Sequence, residues 1–517
     1  MNIAYKGRFL REGLLQNGHH VHDLAVGPER DLGAALKAAP VPIDLVVWEL
    51  FGGSSDMQAL APCDQPVVAY CMDTPLNEFW LRGCAKNFDH VFVDQPQCAA
   101  SFDRPGRPAA WLPLPAQDAY FQPPRKKEFD ITFIGTTNAE RAKRTHLLRL
   151  LQSRFSLTLM SGLSIPETQE VFSRSRVILN ENFFPGLTLR VVQGLSAGAA
   201  VFTEKSPYGH DFGLRDGEDL VLYDPANILE RLSALLENPE STAAIGRRGR
   251  ERSRELCASA TVAARLLAPI EPGRTGRPAD DTEWHWNQLT AEVPFVLRFG
   301  GSLTPAMRRL EQFAASASER AAEAHMLIGD VEARVKRGDG ARAHYRKALE
   351  RAPGSLANLK LALLDIRQGQ PAAAARSLVA YLRHAPDSVV KALARWGAPD
   401  AGSPAALLNT IAAIHFALGK RLALGFHKDF PDPVPDTAFE IARMSWERSP
   451  TPKALELMLD CLRPYHMQGE LLPTLVTAIR TGVLSDSVHL ADTARLAFDC
   501  YDRDTATAIM AALHQAR

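Results

Sequence analysis

The part of the chain richest in chemistry is Asn180-Glu181-Asn182-Phe183-Phe184-Pro185-Gly186-Leu187-Thr188-Leu189-Arg190-Val191-Val192-Gln193. The apolar run Arg176 to Leu179 before it reads as a strand, a glycine loop follows, and a helix begins near Thr188 and ends at Gly198 before a second buried strand. Loop and helix start therefore lie at the carboxyl edge of a parallel sheet. The unpaired N–H groups of a helix's first turn attract phosphate, and Arg190 in that turn adds a charged donor. Upstream, the strand Phe129 to Ile134 runs into Gly135, Thr136 and Thr137, then Arg141, Lys143 and Arg144. Gly135 permits close approach of a backbone to a ligand, the hydroxyls donate, and Arg141 is the favoured cation for a pyrophosphate. Taken alone, a Gly-Thr-Thr turn before a helix is equally an ordinary loop.

The amino-terminal part offers carboxylates at strand ends. Asp73, in Tyr70-Cys71-Met72-Asp73-Thr74-Pro75, can serve as general base toward a hydroxyl or cap the helix that starts near Pro75. Glu49, before Phe51-Gly52-Gly53, competes for the same role or is a solvated strand-end carboxylate, and Lys6-Gly7-Arg8 forms a basic turn. His19, His20 and His22 are better explained by packing or surface exposure than by catalysis. The only Asp-x-Asp triplet, Asp502-Arg503-Asp504, falls in the helical tail, where a solvated helix face explains it better than a metal site.

Placing such groups requires alternating strands and helices, and residues 1 to about 270 supply them. Apolar runs at Ile43–Trp48, Pro66–Tyr70, His90–Val93, Asp130–Ile134 and Arg176–Leu179 alternate with amphipathic segments, as in parallel sheets buried on both faces. The prolines between Trp111 and Lys127 separate two α/β domains, 1–120 and 121–270. Beyond a second break, Glu271 to Pro278, the chain reads as helix over 283–517. A shift of 33 residues there superposes Ala341 on Ala374, Tyr345 on Leu378, Leu349 on Leu382 and Pro353 on Pro386, a repeat of helix hairpins similar to tetratricopeptide repeats.

Composition agrees with a soluble, three-domain chain: 517 residues, 46% hydrophobic and 23% charged. Lys+Arg and Asp+Glu are 59 each, so no broad positive field exists to gather nucleic acid, and phosphate recognition must be local. The amino terminus lacks the order of a secretory signal, no apolar run is long enough to span a membrane, and the seven cysteines show no CxxC spacing. A cytoplasmic location is the expectation.

Residues 129–270 resemble the donor-binding half of GT-B glycosyltransferases, closest to the CgeB-like group. That family carries Leu-Asn, a variable loop, Arg-x-Phe-Glu and Ala-x-Gly between two strands; Leu179-Asn180, Arg190 to Gln193 and Ala197 to Ala199 around Gly198 take those places. Val192 and Gln193 replace the family's Phe and Glu. The glutamate is the residue expected to hold the ribose hydroxyls, and Gln193 keeps a carbonyl acceptor and two N–H donors for that purpose. The resemblance implies two facing Rossmann-like domains and transfer of a sugar from a nucleotide-sugar, held by Gly135, Thr136, Arg141, Asn180, Thr188, Arg190 and Gln193, to a hydroxyl, with Asp73 or Glu49 as base. It implies no metal and no cofactor beyond the nucleotide-sugar substrate. A concave repeat surface suits a protein acceptor, by fold analogy flagellin or another surface protein glycosylated before export. Two alternatives stay open: a lipid-linked or polysaccharide acceptor, and a non-catalytic scaffold. Removing 283–517 is expected to abolish transfer to a protein while sparing transfer to a small glycan.

Overall fold

The structure, a computed structural model, describes the chain except for residues 28–29, 52–56, 122, 124, 138–140, 209–211, 272–280, 397–402, 424–433 and 516–517. The glycine pair Gly52–Gly53, the turn Asn138 to Glu140, the segment Gly209 to Asp211 and most of the second predicted break lie outside the described residues. Six parallel strands form the first sheet: β1 (Asn2–Lys6), β2 (His20–Asp23), β3 (Leu45–Phe51), β4 (Val67–Met72), β5 (His90–Val93) and β6 (Ala110–Trp111), in the order β2-β1-β3-β4-β5-β6. β3 and β4 are central and apolar on both faces, whereas the edge strand β2, His-Val-His-Asp, is polar, which accounts for the histidines there. The second sheet is also parallel: β7 (Phe129–Ile134), β8 (Leu157–Met160), β9 (Ser175–Asn180), β10 (Ala200–Glu204) and β11 (Val221–Tyr223), ordered β11-β10-β9-β7-β8. Both orders reverse direction beside their first strand, and ligands of such sheets bind outside the carboxyl ends at that switch point. Two parallel, Rossmann-like sheets in succession agree with the α/β pair expected of residues 1–270.

The helix Ser259–Leu267 returns to the first domain, where Ser259 N–H donates to the Ala116 carbonyl (3.0 Å) and Asn17 Nδ2 to that of Ala260 (2.9 Å). From Asp281 onward the described residues form helices, and the 33-residue spacing coincides with two successive hairpins: Ala321–Arg334 with Gly338–Arg351, and Ala357–Arg367 with Pro371–Leu382. Ala341, Tyr345, Ala374 and Leu378 are buried at equivalent places. Among the described residues no helix is long and apolar enough to cross a membrane.

This helical region grips both sheet domains. The helix Asp281–Phe299 lies along the helix Thr74–Ala85, with the Trp80 and Phe295 rings 5.1 Å apart, and Trp284 and Phe295 join the first domain's core. At the other end Tyr501 enters the core of the second sheet, and Asp502 pairs with His146 (3.4 Å) and accepts the Thr505 N–H. The expectation of a solvated face at Asp502 is thus corrected: its carboxylate is an interdomain contact and a cap. Four buried side chains, Trp80, Trp284, Phe295 and Tyr501, at ~2 kcal/mol apiece fall within the ~5–15 kcal/mol that keeps a domain folded. A chain ending at residue 270 is therefore expected to aggregate, measured as the soluble, monodisperse fraction on size exclusion.

Candidate active site

The donor side is built on the ends of β7 and β9. Asn180, fully buried, closes β9 and ties four partners together: its Nδ2 donates to Asn182 Oδ1 (2.8 Å) and Thr203 Oγ1 (2.9 Å), and its Oδ1 accepts from Thr188 Oγ1 (2.9 Å) and Arg190 Nη1 (2.8 Å). The Thr188 hydroxyl is therefore committed to Asn180 and does not cap the helix Leu189–Ser196. The first-turn amides of Leu189 and Arg190 have no partner within that helix. Arg190 is pinned at the sheet edge, Nε donating to the Ile134 carbonyl (2.9 Å) and the guanidinium 4.4 Å over the Phe133 ring. A Cβ at position 135 would come within 2.5 Å of Arg190 Nη2, so glycine is what lets the arginine reach this place. The two bonds use two of a guanidinium's five N–H donors. Burial, then the neighbouring Arg144, pull Arg190 down to about 9, and it stays charged at neutral pH.

Around it the charges are unequal. Arg144 Nε meets Glu181 Oε2 at 2.7 Å with both side chains buried, its Nη1 donates to the Thr136 carbonyl (2.9 Å), and Lys143 Nζ meets Glu204 Oε1 at 2.6 Å. Arg141 lies 4.8 Å over the Phe183 ring, where burial lowers its proton affinity while Glu181, the helical region's Glu470 and the first domain's Asp73 raise it. Charges from all three parts of the chain act on this side chain. Lys143 and Arg144 are paired with Glu204 and Glu181, and Arg141 faces Glu470 and Asp73, so the positive charge this edge offers a diphosphate rests chiefly on Arg190. Thr136 is exposed beside them.

Asp73 stands across the cleft at the end of β4. Its backbone is left-handed (φ 49°) and its side chain makes no cap bond to the helix Thr74–Ala85. The capping carboxylate is Asp94 instead, which accepts from the Thr74 N–H (3.1 Å) and hydroxyl (2.6 Å). Burial, then the Asp94 charge, raise Asp73 to about 7 against the pull of Arg141. A strained residue with a carboxyl poised near neutrality is suited to proton transfer.

The structure does not bring every predicted residue to this place. Glu49, at the switch point between β1 and β3, is buried beneath the turn 7–10, accepting from Tyr5 Oη (2.6 Å) and the N–H groups of Arg8 (2.7 Å), Phe9 (3.1 Å) and Leu10 (2.8 Å). Its lone pairs are taken up in holding that turn, neither a solvated carboxylate nor one open to an acceptor. Glu49→Gln is expected to lower stability by about 1–3 kcal/mol, since its amide would face donors, and to keep turnover within about tenfold; a melting curve and a rate measurement check both. Gln193 lies buried beside the Tyr120 hydroxyl rather than at the phosphate edge. Asp94, Gln95, Glu181 and Glu204 were not singled out in the sequence, although Asp94 follows β5 as Asp73 follows β4. Among the described residues no group of three or more His, Cys, Asp and Glu is placed to hold a metal.

Among solved structures, the chain is similar to sucrose-phosphate synthase from Thermosynechococcus elongatus (12% identity over 52% of this chain and 98% of that one, TM-score 0.38). It is similar also to Anabaena HepE in complex with UDP and glucose (11%, 52% and 99%, TM-score 0.36). A glycosyltransferase from Rickettsia africae is a third (9%, 52% and 88%, TM-score 0.33). No curated protein matches the chain in sequence. One family does: residues 127–268, which hold the sheet bearing Asn180, Thr188 and Arg190, match the glycosyl transferase-like family.

Proposed function

We propose that the protein is a metal-independent glycosyltransferase that moves a sugar from a nucleotide-sugar to a hydroxyl of a protein acceptor in the cytoplasm, with no further cofactor. The observation that carries this reading is the cationic edge at the start of the helix Leu189–Ser196, facing Asp73 through Arg141. The pyrophosphate lies against the Leu189 and Arg190 amides and the Arg190 and Arg141 guanidiniums, with Gly135 and Thr136 beneath it. Asp73 takes the acceptor's proton as its oxygen bonds the anomeric carbon. The bond from that carbon to the phosphate oxygen breaks, and the nucleoside diphosphate leaves with the electron pair, its charge met by the two arginines. The acceptor enters through a pocket of about 410 Å³ beside the donor loop, lined by Glu78 and Arg82, by Phe184 and Tyr208, and by Tyr465 of the helical region. Aromatic faces from the second sheet domain and from the helical region favour an acceptor held partly by residues 283–517.

A non-catalytic scaffold is the second reading, favoured by Gln193, which lacks the family's carboxylate and sits by Tyr120. Incubating the full chain with UDP-, GDP-, ADP- and dTDP-sugars separates the two. Release of one nucleoside diphosphate above the spontaneous rate is expected, and it should fall in Arg190→Ala. No release from any donor, together with no nucleotide binding, would leave the scaffold.

A further inference from the structure

Where β5 ends, the chain passes two buried polar residues, Asp94 and Gln95, to the interface between the sheet domains. Asp94 Oδ2 accepts the Asp73 N–H (2.9 Å), while its Oδ1 holds Thr74. Gln95 Nε2 lies 3.3 Å from Asp94 Oδ2 and donates also to the Leu187 carbonyl (3.0 Å), and Gln95 Oε1 accepts the Leu187 N–H (3.1 Å). Hydrogen bonds thus run unbroken from the donor loop's backbone to the backbone of Asp73. A side chain at Gly186 would collide with the Gln95 carbonyl, so the glycine of that loop admits this contact.

A helix cap explains the bonds from Thr74 to Asp94. It does not explain a buried glutamine whose amide spans the cleft, nor why Asp73 holds a left-handed backbone, which costs about 1–3 kcal/mol in a residue with a side chain. We propose that Asp94 and Gln95 are positioning residues that couple the seating of the donor loop to the carboxyl of Asp73. The inference rests on Asp73 being the base proposed above. The charged groups facing Asp73 are Asp94, from the end of β5, and Arg141, from the donor domain. Asp94 brings a like charge close to Asp73 and makes it more basic. Gln95 blunts that charge by donating to it, and the Leu187 backbone, reached across the domain interface, orients the glutamine.

The test is a pH titration of the full-length protein labelled with ¹³C at its aspartate carboxyl carbons, the Asp73 resonance identified by its loss in Asp73→Asn. The wild-type midpoint is expected near 7. Asp94→Asn should lower it by about one unit or more, and Gln95→Glu, which sets a second carboxylate against Asp94, should raise it by about one. Opposite movements are the signature, because loosened packing alone gives no such pair of signs. A midpoint unchanged in either variant, or two shifts of one sign, overturns the proposal. Should Asp94→Asn fail to fold, Gln95→Glu decides alone. The titration reads the carboxyl whether or not sugar is transferred, whereas failure of Asp73 as base would appear separately as full turnover by Asp73→Asn.

Discussion

Asp73→Asn is expected to slow transfer of the sugar to an acceptor, followed as release of nucleoside diphosphate, by about 10²–10⁴-fold, the usual worth of a positioned base. Asparagine keeps the size of the side chain and the bond from its N–H to Asp94 (2.9 Å), so the loss reports the proton acceptor and not the fold. The pH dependence carries the same information. A base must be ionised, and Asp73 is held at about 7, so kcat/KM should rise tenfold per pH unit below that value and level off above it. In Asp73→Asn this limb disappears. Steady-state rates between pH 5 and 9 in both proteins check the prediction, and an unchanged limb would assign the proton transfer to another group.

Arg190→Ala is expected to lower turnover by about 10²–10³-fold, as the loss of one preorganised donor to a developing anion does. Lysine should not restore it. The bonds from Nε to the Ile134 carbonyl and from Nη1 to Asn180 Oδ1 need a planar fork, and an ammonium cannot make both while facing a phosphate. Because Arg190 also helps hold Asn180, the melting temperature without ligand should be recorded beside the rates. A variant that melts as the wild type does and still loses turnover places the defect at the phosphate.

The apolar strands were readable in the sequence because parallel strands buried on both faces leave continuous apolar runs, as β3, β4 and β9 do. The short β8, Leu-Thr-Leu-Met, is largely half-buried at an edge and left no such mark. The loop and helix around Arg190 were legible for a related reason: glycine, proline and the helix start fix the backbone locally. What joins across the chain was not. Glu49 and Asp73 look alike in sequence, each a carboxylate at a strand end, and only the turn folded over Glu49 separates them. The pairing of Glu181 with Arg144, the bridge from Gln95 to Leu187, and the entry of Tyr501 into the donor domain's core depend on contacts 37, 92 and 297 residues apart, which no local pattern records.

The central claim is that a diphosphate lies at the start of the helix Leu189–Ser196. A crystal structure of the full chain with the nucleoside diphosphate that its donor screen selects tests it most directly. The account predicts the pyrophosphate within hydrogen-bond distance of the Arg190 guanidinium and the first-turn amides, with Arg141 reaching it from the side of Asp73. Nucleotide bound elsewhere on the chain, or an edge left without it at saturating concentration, would contradict it.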